Sequence, residues 1–286
     1  MIEMLKANLP LLMTFIGIIS ACVGSFLNVV IYRLPKLLET NWRKECELLL
    51  NVTIETSSEN LSLFFPSSHC TNCKTPIKWY QNLPIISFLL LRGKCAYCQQ
   101  PISKRYFTVE MLSLISGVFL AWFFGFSLSL LFSLIFTWYL IAMTFIDLDK
   151  QILPDELTLG LLWLGLFSSI FYTFSAPTHA IIGALTGYLT FYIVAALFQL
   201  MTKREGMGYG DFKLLAALGA WQGWQTLPMI VLLASLLGSI AGVTLLLKEH
   251  KPSSRAFAFG PYLAIAGWIS LLWGQDFIHW YLSLFY

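Results

Sequence analysis

The chain has 286 residues, of which 57% are hydrophobic and only 12% charged, with a mean hydropathy of +0.71. Soluble domains carry about 25% charged residues, so this composition excludes a water-soluble globular protein and predicts an all-α membrane protein with several spans. The net charge of +3 says little by itself; where the charges fall says more.

The first apolar run extends from about Leu9 to Ile31. It is longer than a signal-peptide core and no small-residue cleavage site follows it, so a retained span is expected. Its end, Gly24-Ser25-Phe26-Leu27-Asn28 through Arg33-Leu34-Pro35, carries small and polar residues that suit helix packing, and Asn28 is expected to make an interhelical hydrogen bond.

Residues 35–106 form the only large polar segment. A mixed-charge stretch, Asn41 to Glu47, reads as a short amphipathic helix, followed by a Ser/Asn/Thr-rich stretch through Ser68. Two Cys-x-x-Cys pairs come next, with the apolar run Pro84 to Leu91 between them, too short to cross a bilayer. From Phe107 onward the chain is nearly all apolar, with spans expected at about 107–124, 128–146, 156–175, 179–201, 211–225, 227–247 and 259–282. With the first, about eight transmembrane helices are expected. The one beginning at Asp211 is short and holds Gly219, Gln222 and Gly223, which suits a tilted or half-embedded helix. The predicted division is 1–34 as first span, 35–106 as loop domain and 107–286 as multi-span domain.

Lys and Arg set the orientation. If 35–106 is cytoplasmic, so are the loops holding Lys150, Lys203-Arg204, and Lys248, Lys251 and Arg255. Of the 18 basic residues only Lys6 then falls on the other side. Both termini are predicted outside.

Cys70-x-x-Cys73 and Cys95-x-x-Cys98 bracket 21 residues. Four thiolates at this spacing suit a tetrahedral Zn²⁺ site, and turn-forming neighbours such as Asn72, Lys74, Pro76, Gly93 and Pro101 suit two knuckles. A reducing cytoplasm favours metal over disulfide, and a closed four-Cys site is normally structural. A thiol redox role is the alternative. His69 is surplus to the set and reads as surface, and Cys22 and Cys46 read as packing or free thiols.

Two acids stand at the ends of apolar runs. Asp147 closes the run Thr137 to Ile146, and Asp211 follows the glycine turn Gly206-Met207-Gly208-Tyr209-Gly210. An acid at a membrane helix end is costly and calls for a reason. A helix N-cap is one reason for Asp211; a carboxylate pair is another, because the charge rule puts both acids on one face at matched depth. Two like charges held close share one proton, and such a pair can hydrolyse a peptide: the ionised member activates water while the protonated one polarises the carbonyl. Glycines before Asp211, Gly208 and Gly210 among them, are expected to let the backbone bend and an extended substrate approach. Asp149 is the alternative partner, nearer water beside Lys150; Asp155 and Glu156 read as the first turn of the next helix.

Taken together, Gly208-Tyr209-Gly210-Asp211, the first-span end, the double Cys-x-x-Cys loop and Asp147…Leu153-Pro154-Asp155 make the chain resemble the type IV prepilin peptidases of Gram-negative bacteria. The resemblance runs from about residue 17 to residue 274. It implies a bifunctional, multi-pass inner-membrane enzyme. Such an enzyme removes the basic leader of prepilins and pseudopilins on the cytoplasmic side, then methylates the new N-terminal residue, usually Phe, with S-adenosylmethionine. The family's catalytic aspartates map onto Asp147 and Asp211, and its zinc cysteines onto Cys70, Cys73, Cys95 and Cys98. The implied partners are those substrates and membrane lipid, with no nucleic acid. No S-adenosylmethionine-binding fingerprint stands out, so placing that site in 35–106 rests on the resemblance alone. The competing class is a proton-coupled transporter with Asp147 and Asp211 as relay; a membrane thiol oxidoreductase would need its Cys-x-x-Cys on the opposite face.

Overall fold

The computed structural model describes residues 2–51, 62–63, 65–70, 72–204, 206–248 and 258–283. Lys251 and Arg255, used in the charge argument, lie outside the described residues, as does part of the Ser/Asn/Thr-rich stretch. The described chain is helical: α1 (Ile2–Ala7), α2 (Leu9–Leu50), α3 (Ile86–Leu90), α4 (Lys104–Phe124), α5 (Leu128–Lys150), α6 (Asp155–Ile170), α7 (Pro177–Thr202), α8 (Tyr209–Gln222), α9 (Leu227–Lys248) and α10 (Gly260–Ser283). Two isolated bridges are the only strand-like pairings among the described residues.

The expected helices are present, but eight spans are not established. Among the described residues, five segments are long and apolar enough to cross a membrane, namely Leu9–Leu50, Lys104–Phe124, Leu128–Lys150, Pro177–Thr202 and Trp224–Leu247, which makes this a multi-pass membrane protein. α6 and α8, at 16 and 14 residues, fall short of the 20 or so a perpendicular span needs. α10 has the length, but Gln275, Asp276 and His279 dilute its apolarity.

The chain divides into two compact units, Met1–Ala142 and Met143–Tyr286. In the first, the stretch expected as a short helix, Asn41 to Glu47, is helical but is the end of a longer element. α2 runs unbroken for 42 residues through Pro35, about 60 Å and roughly twice a hydrocarbon core. Proline costs the helix a hydrogen bond, but Arg33, Leu34, Pro35 and Leu38 are all buried there, so tertiary burial overrides the local break. Buried Arg33 donates to the carbonyls of Ser62, Leu63 and Pro66 and ties the polar loop to the helix. α2 and α4 meet through small residues. Gly117 lies so close to Ser20 that an added Cβ would stand 2.1 Å from its Oγ, and Ser113 Oγ donates to the Ser20 carbonyl at 2.6 Å. Asn28 makes the expected interhelical bond, its Nδ2 donating to the Tyr106 carbonyl at 3.0 Å.

In the second unit α8 is the centre. Phe212 and every residue from Leu214 to Gln222 are buried, as a helix apolar on all sides requires. α7 reaches it through Gly183 and Gly187, a small-xxx-small pair. A Cβ on Gly183 would meet the Gly219 carbonyl oxygen at 2.2 Å, and one on Gly187 the Leu215 oxygen at 2.7 Å. The far end is fixed by Trp221 Nε1 donating to the Leu161 carbonyl and Gln222 Nε2 to the Gly267 carbonyl.

Candidate active site and metal centre

Asp147 occupies the last turns of α5 and is 5% exposed. Its Oδ2 accepts the Gly260 backbone N–H at 3.0 Å. Gly260 is the first residue of α10, and Pro261 follows. The first N–H groups of a helix lack intrahelical partners and carry the positive end of its dipole, so a buried carboxylate there is both hydrogen-bonded and electrostatically favoured. A Cβ on Gly260 would stand 2.6 Å from Asp147 Oδ2 and 3.2 Å from Leu153 Cδ1. Only glycine lets the amide come this close.

Asp211 is half-buried in the first turn of α8. The cap position belongs to Gly208, so the N-cap reading of Asp211 is corrected: it sits one turn further in, where the helix dipole still favours an acid. The chain bends at Met207, between Gly206 and Gly208, and it does so without a left-handed glycine, since Gly208 has φ −75°. The glycines also serve close approach: a Cβ on Gly210 would lie 2.7 Å from Leu153 Cβ, and one on Gly206 2.5 Å from Phe198 Cδ1. Around Gly208 nothing lies within 4 Å of such a Cβ, which keeps the approach to Asp211 open.

Leu153 therefore touches both sides of the site, the turn before Asp211 and the amide that binds Asp147. The two carboxylates lie within Coulombic range of each other. The neighbouring acids are placed elsewhere. Asp149 is exposed. Asp155 and Glu156 open α6 as expected, and Asp155 pairs with Lys213 Nζ at 2.6 Å, joining the starts of α6 and α8.

The four cysteine sulfurs of Cys70, Cys73, Cys95 and Cys98 all lie within 4.8 Å of one another. Each pair sits on the same backbone device. In the first, Cys70 N–H donates to the Thr75 carbonyl, Lys74 N–H to the Cys70 carbonyl and Ile77 N–H to the Ser68 carbonyl. The second repeats this with Cys95 to Gln100, Gln99 to Cys95 and Ile102 to Gly93. His69–Pro76 and Lys94–Pro101 bridges close both. Lys74 and Gln99, each just after a second cysteine, adopt left-handed φ of 59° and 57°, uncommon for such residues. Hydrogen bonds from the Thr75 side chain and then its backbone pull the Cys73 thiol down to about 6, and the Cys98 and Tyr97 amides lower Cys95. Four thiols converging from two loops, with Cys73 and Cys95 eased toward thiolate and Cys70 shifted the other way, form a set that could hold a metal ion. His69 is exposed beside the cluster, and Cys22 and Cys46 are exposed free thiols outside it.

Sequence reasoning missed Gly260 and used Leu153 only as part of a motif. The available signal was Gly260-Pro261, a helix start that leaves a free amide ahead of a proline.

Residues 18–124 match the family model described as the bacterial peptidase A24 N-terminal domain, and residues 134–243 match that of the type IV leader peptidase family. A prepilin leader peptidase/N-methyltransferase of Aeromonas hydrophila is 48% identical over 283 residues, covering 98% of each chain. One of Pseudomonas aeruginosa is 48% identical, covering 91% of this chain and 90% of its own. One of Legionella pneumophila is 44% identical over 99% of both. No solved structure matches.

Proposed function

The chain belongs to the type IV leader peptidase family, and from that premise we propose that it removes prepilin and pseudopilin leaders and then N-methylates the new N-terminal residue, usually Phe. Asp147 and Asp211 are the catalytic pair. Asp147 is the ionised member, because the Gly260 amide and the positive end of α10 stabilise its charge. It takes the proton from the attacking water. Asp211, beside the open Gly208, holds the shared proton and polarises the scissile carbonyl. The basic leader lies in the cytoplasm and the hydrophobic pilin helix in the bilayer, so the bond to be cut falls at the boundary where both acids stand.

The large loop and the active site face the cytoplasm across the inner membrane. Residues 35–106 form the loop domain associated with methyl transfer, and 107–286 the peptidase domain. Cys70, Cys73, Cys95 and Cys98 hold Zn²⁺, which folds the loop and takes no part in hydrolysis. S-adenosylmethionine supplies the methyl group.

The observation that carries the peptidase reading is buried Asp147 held by an amide of α10 and tied through Leu153 to the turn before Asp211. Mass spectrometry of a co-expressed prepilin tests it. Asp147→Asn and Asp211→Asn should each leave the leader in place while the protein still inserts. Full cleavage by either variant overturns the pair. A proton-coupled relay is not favoured, since the relatives are named as peptidases.

A further inference from the structure

One side chain beside the two acids has no part in their proton chemistry. Leu153, half-buried, lies in the short connection between α5 and α6. Its Cδ1 methyl is bracketed by the glycines nearest the carboxylates. It would stand 3.4 Å from a Cβ on Gly210, the residue directly before Asp211, and 3.2 Å from one on Gly260. That second Cβ would also lie 2.6 Å from Asp147 Oδ2. An aliphatic methyl therefore fills the space between the α10 amide that holds Asp147 and the turn that presents Asp211. It neither gives nor takes a proton, so what it supplies there is bulk.

The bulk is held in place. Leu153 precedes Pro154, and a residue before proline is pushed toward extended backbone. Pro154 is buried and holds the N-cap position of α6, its carbonyl accepting the N–H groups of Leu157 at 3.1 Å and Thr158 at 3.0 Å. Asp155 follows, paired with Lys213 of α8. Leu153 Cβ would lie 2.7 Å from a Cβ on Gly210, so the side chain has no room to swing toward α8.

We infer that Leu153 is a specificity-determining residue: it limits the size of the residue whose carbonyl is attacked, so that one without a side chain presents that carbonyl to both acids best. This rests on the peptidase reading above, in which the leader approaches from the cytoplasmic side and the pilin helix from the bilayer. The α5–α6 connection follows Lys150 and belongs to the cytoplasmic side, so Leu153 meets the leader side of the bond. A Cβ on the residue there is only two bonds from the attacked carbon. With the carbonyl held between Asp147 and Asp211, that Cβ enters the volume the Leu153 methyl bounds. A tight apolar pocket discriminates one added carbon by about 10–200-fold.

The test uses the purified full chain in detergent and two prepilins that differ only in having Gly or Ala before the cleaved bond. Both compete in one reaction, and mass spectrometry of the products gives the ratio of their kcat/KM values. That ratio does not depend on how much of the enzyme is folded. Wild type should favour the Gly prepilin by about 10–200-fold. Leu153→Ala should shrink the preference about tenfold by admitting the extra methyl, and Leu153→Val should shrink it less. A second pair, with Phe or Ala after the bond, should keep its wild-type ratio within about twofold in both variants, as expected of independent subsites. A merely structural role would slow all substrates together and leave every ratio unchanged, and that result overturns the proposal. So does a wild type that cleaves the Ala prepilin as fast as the Gly one, or a shift confined to the pair that differs after the bond. If Leu153→Ala cleaves neither prepilin, Leu153→Val decides; loss of both there assigns Leu153 to holding the acids and overturns the size limit. If wild type leaves even the Gly prepilin uncut, the peptidase reading itself fails.

Discussion

In the Met1–Ala142 unit, four thiols meet because two loops repeat one set of backbone hydrogen bonds, down to a left-handed residue after each second cysteine. In the Met143–Tyr286 unit, glycines beside Asp147 and Asp211 let helices and turns close to distances no side chain would allow. The first arrangement is local and polar: each knuckle is built by its own neighbours, and a bound metal would cross-link the two. The second is distant and steric: Asp147, Leu153, Asp211 and Gly260 come from separate elements and are located only by packing. One site should therefore fail when its ligand is lost, the other when a single methyl group is added.

The largest effect should come from the acids. Asp147→Asn and Asp211→Asn each remove half of an acid–base pair and should cost at least about 10⁴-fold in leader cleavage, the upper end for such catalysis, measured by mass spectrometry of the pilin product. Next is Cys70→Ser, which breaks the four-sulfur set. It should abolish stoichiometric metal in elemental analysis and make the segment 66–102 protease-sensitive, because binding energy in such sites is folding energy. Retained metal would break the contrast by showing that the knuckles do not form one centre.

Gly260→Ala sharpens the other side of the comparison. It changes no charged group, yet its Cβ would stand 2.6 Å from Asp147 Oδ2. Displacing a catalytic atom by about 1 Å can cost about 100-fold, so cleavage should fall by that order with normal membrane insertion and unchanged metal content. Wild-type cleavage by this variant would show that the α10 amide does not position Asp147. The smallest effect belongs to Lys213→Ala. Its ion pair with Asp155 is well aligned, but Asp155 is exposed, and such pairs contribute about 0–1 kcal/mol. Thermal unfolding in detergent should barely move.

How legible each region is follows the same division. The cysteine set needs only spacing, because ligands a few residues apart are brought together by their own turn. Spans such as 107–124 and 227–247 are legible to within a few residues, because a lipid-facing helix must be apolar along its length. Asn41 to Glu47 is legible as helix but not as the end of α2, because continuity through Pro35 depends on the burial of Arg33, Leu34, Pro35 and Leu38. The cap alternative for Asp211 stays open in the sequence because the capping residue, Gly208, has no side chain to signal it.

The sequence by itself determined the membrane class, the helix order, the family resemblance, the four-cysteine pattern and the pair of boundary acids. Composition, period and short-range spacing are all written along the chain. Only the tertiary structure decided that Gly210 and Gly260 serve close approach, and that an amide of α10 meets Asp147. It alone left the buried Asn28 Oδ1 without a hydrogen-bond partner. Each of these depends on which backbone lies a few ångströms away, and the partner is often a hundred residues distant in the chain.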